Sequence, residues 1–136
     1  SNCSISHHTF ISDNELLIYT ITNSKGFFNI LNLTTNSISI SALNGYKKDG
    51  HPSKCGKGII LDTYPSRLGF QDLLFAKSIN HSPKKLLSIR SPLSQNNGPA
   101  RCDLHPRYED YNNYVWLDCL INGTREIRAY DLQKLI

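Results

Sequence analysis

The chain has 136 residues and a formal net charge of +4, with 39% hydrophobic and 19% charged residues. This length allows one domain with a real core and is too short for two, so residues 1–136 are expected to form a single unit. The basic residues are scattered, which argues against a nucleic-acid partner, and no apolar run approaches the length of a membrane span.

The first segment of the chain has the pattern of several short strands. After His8 come the apolar run LLIY at 16–19, the run FFNILNL at 27–33 and the run SISISAL at 37–43. Each is short, rich in β-branched or aromatic residues and bounded by polar turns, which is typical of strands rather than helices.

Two further segments repeat this pattern. His51 is followed by IILD, FQDLLFA and KKLLSIRSPL, and His105 is followed by VWLD and REIRAYDL before the chain stops at Ile136. Each histidine also precedes a glycine by eighteen residues, and these glycines are predicted to supply the positive φ of hairpin turns: Gly26, Gly69 and Gly123.

The three histidines are separated by 43 and 54 residues, close to the period of propeller repeats. The sequence therefore predicts an all-β chain of β-propeller blades, about three four-stranded antiparallel units with the last one incomplete, at roughly 5–45, 46–95 and 100–136. The first strand of each blade should lie nearest the central axis. Three blades cannot close a ring, so we expect a homo-oligomer or the missing remainder of a longer propeller, and a twofold pair would supply six blades.

Four cysteines, at positions 3, 55, 102 and 119, form no CxxC pair and no dense framework. This spacing favours free thiols in a reducing compartment. Residues 1 to 10 also lack the charged and apolar regions of a signal peptide. These features favour the cytoplasm and otherwise leave the localisation open.

The stretches HPRYEDYNNYVWLDCLINGTREIRAYDL and GHPSKCGKGIILDTYPSRLGFQDLLF resemble the repeats of TolB-like β-propellers. Within that group, GHPS, DTYP and RCDLHPR are most similar to the propellers related to oligogalacturonate lyase, including uncharacterised relatives associated with bacterial polysaccharide genes. The resemblance implies an acidic oligosaccharide or polysaccharide as the partner, while the scattered charges and the short apolar runs argue against nucleic acid and a membrane.

The resemblance also implies a metal site. In oligogalacturonate lyases, three histidines and a glutamine at the blade openings hold a manganese ion. By position, His51 and His105 match two ligands, Asp103 stands where the family has a further histidine, and the glutamine falls near Ala100, which cannot ligate. The implied site for Mn²⁺ or another divalent metal is His51, Asp103 and His105.

If the lyase chemistry is retained, the implied reaction is β-elimination on a uronate. The metal neutralises the sugar carboxylate, a neutral histidine removes the proton from the adjacent carbon, and an arginine holds the acid group. His8 is the candidate base by its position in the histidine column, with His7 as the second choice. Arg101 and Arg107 flank the metal candidates and are the expected carboxylate ligands.

Each of these residues also has a structural interpretation. A histidine at a blade opening can bond backbone or a carboxylate of its own blade, and the arginines can be solvated residues of the rim. Asp62 and Asp118 are expected to cap turns, and Trp116 is predicted to lie in the core. The alternative function is a non-catalytic propeller that binds sugar or protein, with tyrosines as contacts: Tyr46, Tyr64, Tyr108, Tyr111 and Tyr114.

Overall fold

A computed structural model describes residues 3–39, 42–96 and 98–136, which form three antiparallel sheets. Sheet 1 has the order β1-β2-β3-β4, with the strands Cys3–Ser12, Glu15–Thr22, Lys25–Asn32 and Ser37–Ser39. Sheet 2 has the order β5-β6-β7-β8, with the strands Pro52–Cys55, Gly58–Asp62, Phe70–Ala76 and Lys84–Arg90. Sheet 3 has the order β11-β10-β9, and its strands β9 to β11 are Arg107–Glu109, Tyr114–Ile121 and Thr124–Asp131.

The predicted fold class is confirmed. Strands account for 54% of the described residues, the sheets have four, four and three strands, and none of them is closed, which is consistent with incomplete propeller-like blades. Short 3₁₀ turns occur at Ala42–Gly45, Gly98–Ala100 and Leu132–Lys134. Within the described ranges, no helix has the length and hydropathy needed to cross a membrane.

The predicted strands form where the apolar runs lie, with two shorter than expected. The run KKLLSIRSPL at 84–93 forms β8 only over Lys84–Arg90. The run at 37–43 forms β4 only over Ser37–Ser39, and residues 40 and 41 fall outside the described part of the chain. The first strands of the three sheets are neighbours, because β1 lies beside β5 and β5 lies beside β9. The three segment openings are thereby brought together on one side of the molecule.

Sheet 2 is packed between the other two sheets. One core cluster joins Leu17 and Phe28 of sheet 1 to Leu61 of sheet 2. A second cluster joins Ile60 of sheet 2 to Leu117 of sheet 3. Strand β6 is consequently buried at every residue, as expected for a strand that is covered on both faces.

The prediction that Gly26 occupies a hairpin turn is wrong. The β2–β3 turn is made by Asn23 and Ser24, which have φ values of 49° and 62°, and Gly26 lies within β3. A Cβ at Gly26 would lie 1.9 Å from the Tyr19 hydroxyl oxygen, so this glycine makes room for a core tyrosine. The predicted turn glycines Gly69 and Gly123 do have positive φ, 73° and 80°.

The prediction that Trp116 lies in the core is also wrong. Its neighbours Val115 and Leu117 are fully buried, whereas Trp116 is 41% exposed. Side chains alternate along β10, and the side that carries Trp116 has no sheet packed against it. The apolar run VWLD therefore belongs to a strand with only one covered face.

We predict that Leu61→Ala lowers the free energy of unfolding by about 2 to 5 kcal/mol, because it leaves a cavity in the core between sheets 1 and 2. Leu61 is fully buried. Leu68→Ala is the matched control, since Leu68 is 85% exposed and its truncation should change stability by less than about 0.5 kcal/mol. Urea denaturation measures both values, and equal losses in the two variants would contradict this packing.

Candidate functional site

Three imidazole rings, one from each sheet or the segment leading into it, lie side by side. The ring centroid of His51 is 4.2 Å from that of His7 and 3.9 Å from that of His105. His7 lies in β1, His51 directly precedes β5, and His105 lies two residues before β9. We call these three residues the histidine face, and it occupies the side where the first strands of the sheets meet.

A β-bulge decides which of the two N-terminal histidines joins this face. The pairing of β1 with β2 shifts register between Ile5 and His8, which leaves Ser6 and His7 in the irregular segment. Bulges commonly redirect a side chain in this way. His7 thus contacts His51, while His8 pairs with Ile18 and lines the same cavity of about 410 Å³ from an exposed position. The assignment of His8 as the base stays a prediction.

Each imidazole of the histidine face points its δ nitrogen at a carboxylate. His7 Nδ1 lies 2.9 Å from Asp49, His51 Nδ1 lies 3.0 Å from both oxygens of Asp62, and His105 Nδ1 makes a longer charge contact of 3.7 Å with Asp118. An ionised carboxylate only accepts, so the δ nitrogens of His7 and His51 carry the proton. In the neutral rings, the ε nitrogens then carry the lone pairs.

Asp62 connects two of the sheets. Its side chain is 1% exposed and accepts hydrogen bonds from the backbone N–H of His51, at 2.6 Å, and from that of His105, at 3.0 Å. His105 has a left-handed backbone with φ of 41°, which is uncommon outside glycine, and the Asp62 bond holds it there. The structure thus gives Asp62 the capping role expected from the sequence, but across two segments.

The surroundings of His51 favour its charged form. Burial alone would lower its pKa, but the hydrogen bond that His51 donates to Asp62 and the negative charges of Asp62, Asp103 and Asp49 outweigh burial and raise the pKa above 6.5. Asp118 shows the opposite shift, because the hydrogen bonds from Arg107 lower the pKa of its carboxyl group. At His51 and at Asp118, the neighbouring opposite charge therefore stabilises the ionised form.

Both candidate arginines are engaged by carboxylates. Arg101 reaches Asp103 with Nε at 3.0 Å and with Nη2 at 2.8 Å, and its guanidinium also lies 4.9 Å from the ring centroid of Tyr64. Arg107 binds Asp118 through two nitrogens, at 3.0 and 2.6 Å. Neither guanidinium is free to bind a sugar carboxylate through its full fork without giving up a partner.

The predicted metal ligands divide into two kinds. Imidazoles whose δ nitrogens are bonded to carboxylates are the usual form of histidine ligands, and the predicted ligands His51 and His105 approach that form, as does His7, which was not predicted as a ligand. Asp103 fits less well, because Arg101 binds both of its oxygens. Among the described residues, no group of three or more His, Cys, Asp or Glu side chains is arranged to hold a metal ion, so manganese binding stays a prediction.

A second, larger cavity of about 610 Å³ lies next to the histidine face, and its lining includes Asp49, Tyr64, Phe70 and Lys85. Asp49 links the two cavities, since it also bonds His7. Tyr64 lies between them with its ring centroid 6.0 Å from that of His51. The two cavities together offer aromatic rings beside charged groups.

The five tyrosines proposed as binding residues differ in exposure. Tyr64, Tyr111 and Tyr114 are 37%, 90% and 37% exposed. Tyr46 packs against the core between sheets 1 and 2, and Tyr108 donates to Asn113. Tyr64 is the one in ring contact with the histidine face, so it is the best placed to touch a ligand there.

Sequence reasoning missed Asp49. Its signal was a short repeat, because Asp-x-His-Pro occurs at 49–52 and again at 103–106. Asp49 lies two residues before His51, yet it bonds His7 of the preceding sheet. Asp103 is the equivalent residue before His105, but it binds Arg101 and not a histidine. The carboxylate partner of His51 is Asp62.

Comparison of the chain with protein-family models, with curated proteins and with solved structures finds no match. The similarity to TolB-like and oligogalacturonate lyase-related propellers therefore stays a prediction from the sequence, and the blade-like sheets are the part of it that the structure bears out.

We predict that Asp62→Asn lowers the pKa of His51, because asparagine keeps the shape but removes the charge that favours the imidazolium. A raised folded-state pKa stabilises the protein fully below about pH 6.5, and this stabilisation is lost as the pH rises through the folded-state value. In Asp62→Asn, the free energy of unfolding should therefore depend less on pH across this range. NMR titration of His51 and urea unfolding across this range measure both effects.

Asp13→Asn, in the exposed β1–β2 turn, is the control and should leave the titration of His51 unchanged. An unaltered pKa of His51 in Asp62→Asn would contradict the pairing of these two residues.

Proposed function

We propose that the histidine face binds an acidic oligosaccharide and that a histidine lining its cavity acts as the base in a β-elimination. The observation that carries the proposal is the convergence of three imidazoles on one cavity, two of them with a carboxylate hydrogen-bonded to Nδ1. This pairing fixes the tautomer and leaves Nε2 as a proton acceptor, which is the arrangement of a histidine general base.

The chemistry follows from the substrate class. In a uronate, the carbon next to the carboxylate carries the acidic hydrogen. A neutral imidazole takes that proton, the electron pair of the C–H bond forms a carbon–carbon double bond, and the glycosidic oxygen leaves with a proton from an acid or water. His7 and His8 line the cavity that also contains His51 and His105, which supports either of them as the base.

The charge of the site sets a condition on this proposal. When the imidazoles are neutral, the site has four carboxylates and two guanidinium groups, which is an excess of two negative charges. The carboxylates are Asp49, Asp62, Asp103 and Asp118, and the guanidinium groups are Arg101 and Arg107. An acidic sugar would be repelled unless positive charge is added. A divalent cation supplies such charge when bound, so we expect binding of the sugar to depend on manganese.

The alternative function is binding without turnover. It is favoured by the engagement of both arginines, since neither guanidinium is free to hold the sugar carboxylate in a fixed position for proton removal. Under this alternative, Tyr64 and the adjoining larger cavity supply most of the contact with the sugar.

We predict that oligogalacturonate binds the full chain in the presence of manganese, with affinity lost in His51→Ala and His105→Ala. Truncation of one imidazole removes a ring that lines the cavity and one of the predicted metal ligands, so a loss of roughly tenfold to a hundredfold is expected. Calorimetry measures the binding, and the ultraviolet absorbance of the conjugated double bond measures turnover.

His81→Ala is the matched control, because His81 is an exposed histidine in the β7–β8 connection. Binding together with double-bond formation supports the lyase proposal, and binding without it supports the alternative. Absence of binding by the folded wild-type chain, with and without manganese, would overturn the proposal. His7→Ala compared with His8→Ala identifies the base.

A further inference from the structure

The two outer sheets each have one apolar face that no other sheet formed by the described residues covers. In sheet 1, Ile5, Phe10 and Ile38 are 55%, 57% and 49% exposed. In sheet 3, Tyr114, Trp116 and Ile127 are 37%, 41% and 67% exposed. Sheet 2, in contrast, is covered on both faces. Large apolar side chains grouped in this way mark an interaction surface rather than ordinary exposure.

The strand registers place each group on a single face. Paired residues of an antiparallel ladder share a face, and Phe10 pairs with Leu16, Leu16 with Leu31 and Leu31 with Ile38. Ile5 pairs with Thr20, which lies on the same face of β2 as Leu16.

The same reasoning applies to sheet 3. Tyr114 and Trp116 are two residues apart, so their side chains lie on the same face of β10. Asp118 also lies on that face, and Ile127 pairs with it. We call the surface of Ile5, Phe10 and Ile38 the sheet 1 outer face, and that of Tyr114, Trp116 and Ile127 the sheet 3 outer face.

The repeat shows what each outer face is built to contact. In the aligned runs LLIY, IILD and VWLD, the second position is Leu17, Ile60 and Trp116. Leu17 packs against sheet 2, and Ile60 packs against sheet 3, so this position faces the following sheet. No sheet of the described residues follows sheet 3, so Trp116 is left exposed. The sheet 3 outer face therefore has the same position in its sheet as the surfaces that contact a following sheet in sheets 1 and 2.

The third position of the same runs faces the other way. It is Ile18, Leu61 and Leu117. Leu61 packs against sheet 1, and Leu117 packs against sheet 2, so this position faces the preceding sheet. Ile18 belongs to neither core cluster and lies under the sheet 1 outer face. One chain thus carries both surfaces of the sheet-to-sheet contact that it uses internally: the sheet 3 outer face corresponds to the side that contacts a following sheet, and the sheet 1 outer face to the side that contacts a preceding sheet.

We propose that the sheet 1 outer face of one copy packs on the sheet 3 outer face of a second copy, and that two such contacts related by a twofold axis close a ring of six sheets. A second copy is the occupant because it offers each outer face the partner that the repeat already uses twice within the chain. Such a head-to-tail contact closes when the rotation between copies completes a circle. The two histidine faces would then line the same end of one ring.

The test is the solution mass of the full chain and of two variants, by analytical ultracentrifugation. The wild-type protein should have twice the chain mass of 15.4 kDa. Phe10→Asp and Trp116→Asp should each raise the dissociation constant roughly a hundredfold, because a buried charge without a partner is costly. Leu68→Asp, which changes a residue 85% exposed in the β6–β7 connection, should remain dimeric.

Mixing the two variants separates head-to-tail contact from a symmetric one. Each variant retains one intact outer face, so Phe10→Asp and Trp116→Asp together should form a mixed dimer through a single contact. A folded wild-type chain that stays monomeric overturns the proposal, as does a dimer that only one of the two variants disrupts. If Trp116→Asp fails to fold, Ile127→Asp tests the same face from a more exposed position.

Discussion

Asp62 ends strand β6 with a side chain that is 1% exposed, and its two oxygens accept from the backbone N–H groups of His51 and His105 and from His51 Nδ1. One buried carboxylate therefore fixes the openings of sheets 2 and 3 and orients an imidazole of the site. Gly50 allows this approach, since a Cβ there would lie 2.1 Å from the Asp62 carbonyl oxygen. Packing of the sheets and chemistry of the site depend on the same contact, because an unpaired buried carboxylate would be very costly.

The structural and the functional accounts of the histidines are compatible for this reason. A histidine that bonds a carboxylate through Nδ1 stabilises a turn, and the same bond prepares Nε2 as a base or ligand. His51 shows this most clearly, because Asp62 holds both its backbone and its ring while the ring contacts His7 and His105. Loss of function in a His51 variant must accordingly be read together with its stability.

The strands could be predicted because each apolar run keeps its composition in all three segments, and β6 and β10 lie where IILD and VWLD predicted them. The failures share a cause, which is that tertiary context decides between options that look alike locally. Asn23 and Ser24 replaced Gly26 in the turn, and Trp116 is exposed because no sheet of the described residues packs on its side. The β-bulge brings His7, rather than His8, into ring contact with His51, while the assignment of the base stays a prediction. Asp49 was missed because its partner, His7, belongs to another sheet.

The most direct test of the central claim is a histidine side-chain NMR experiment, in which the protein is titrated with trigalacturonate in the presence and absence of manganese. If the ligand binds at the histidine face, the chemical shifts of His7, His51 and His105 should change together, because their rings line one cavity. The chemical shifts of His81 should stay unchanged. A response confined to other residues, or equal in all five histidines of the chain, would contradict a shared site at the meeting point of the three sheets.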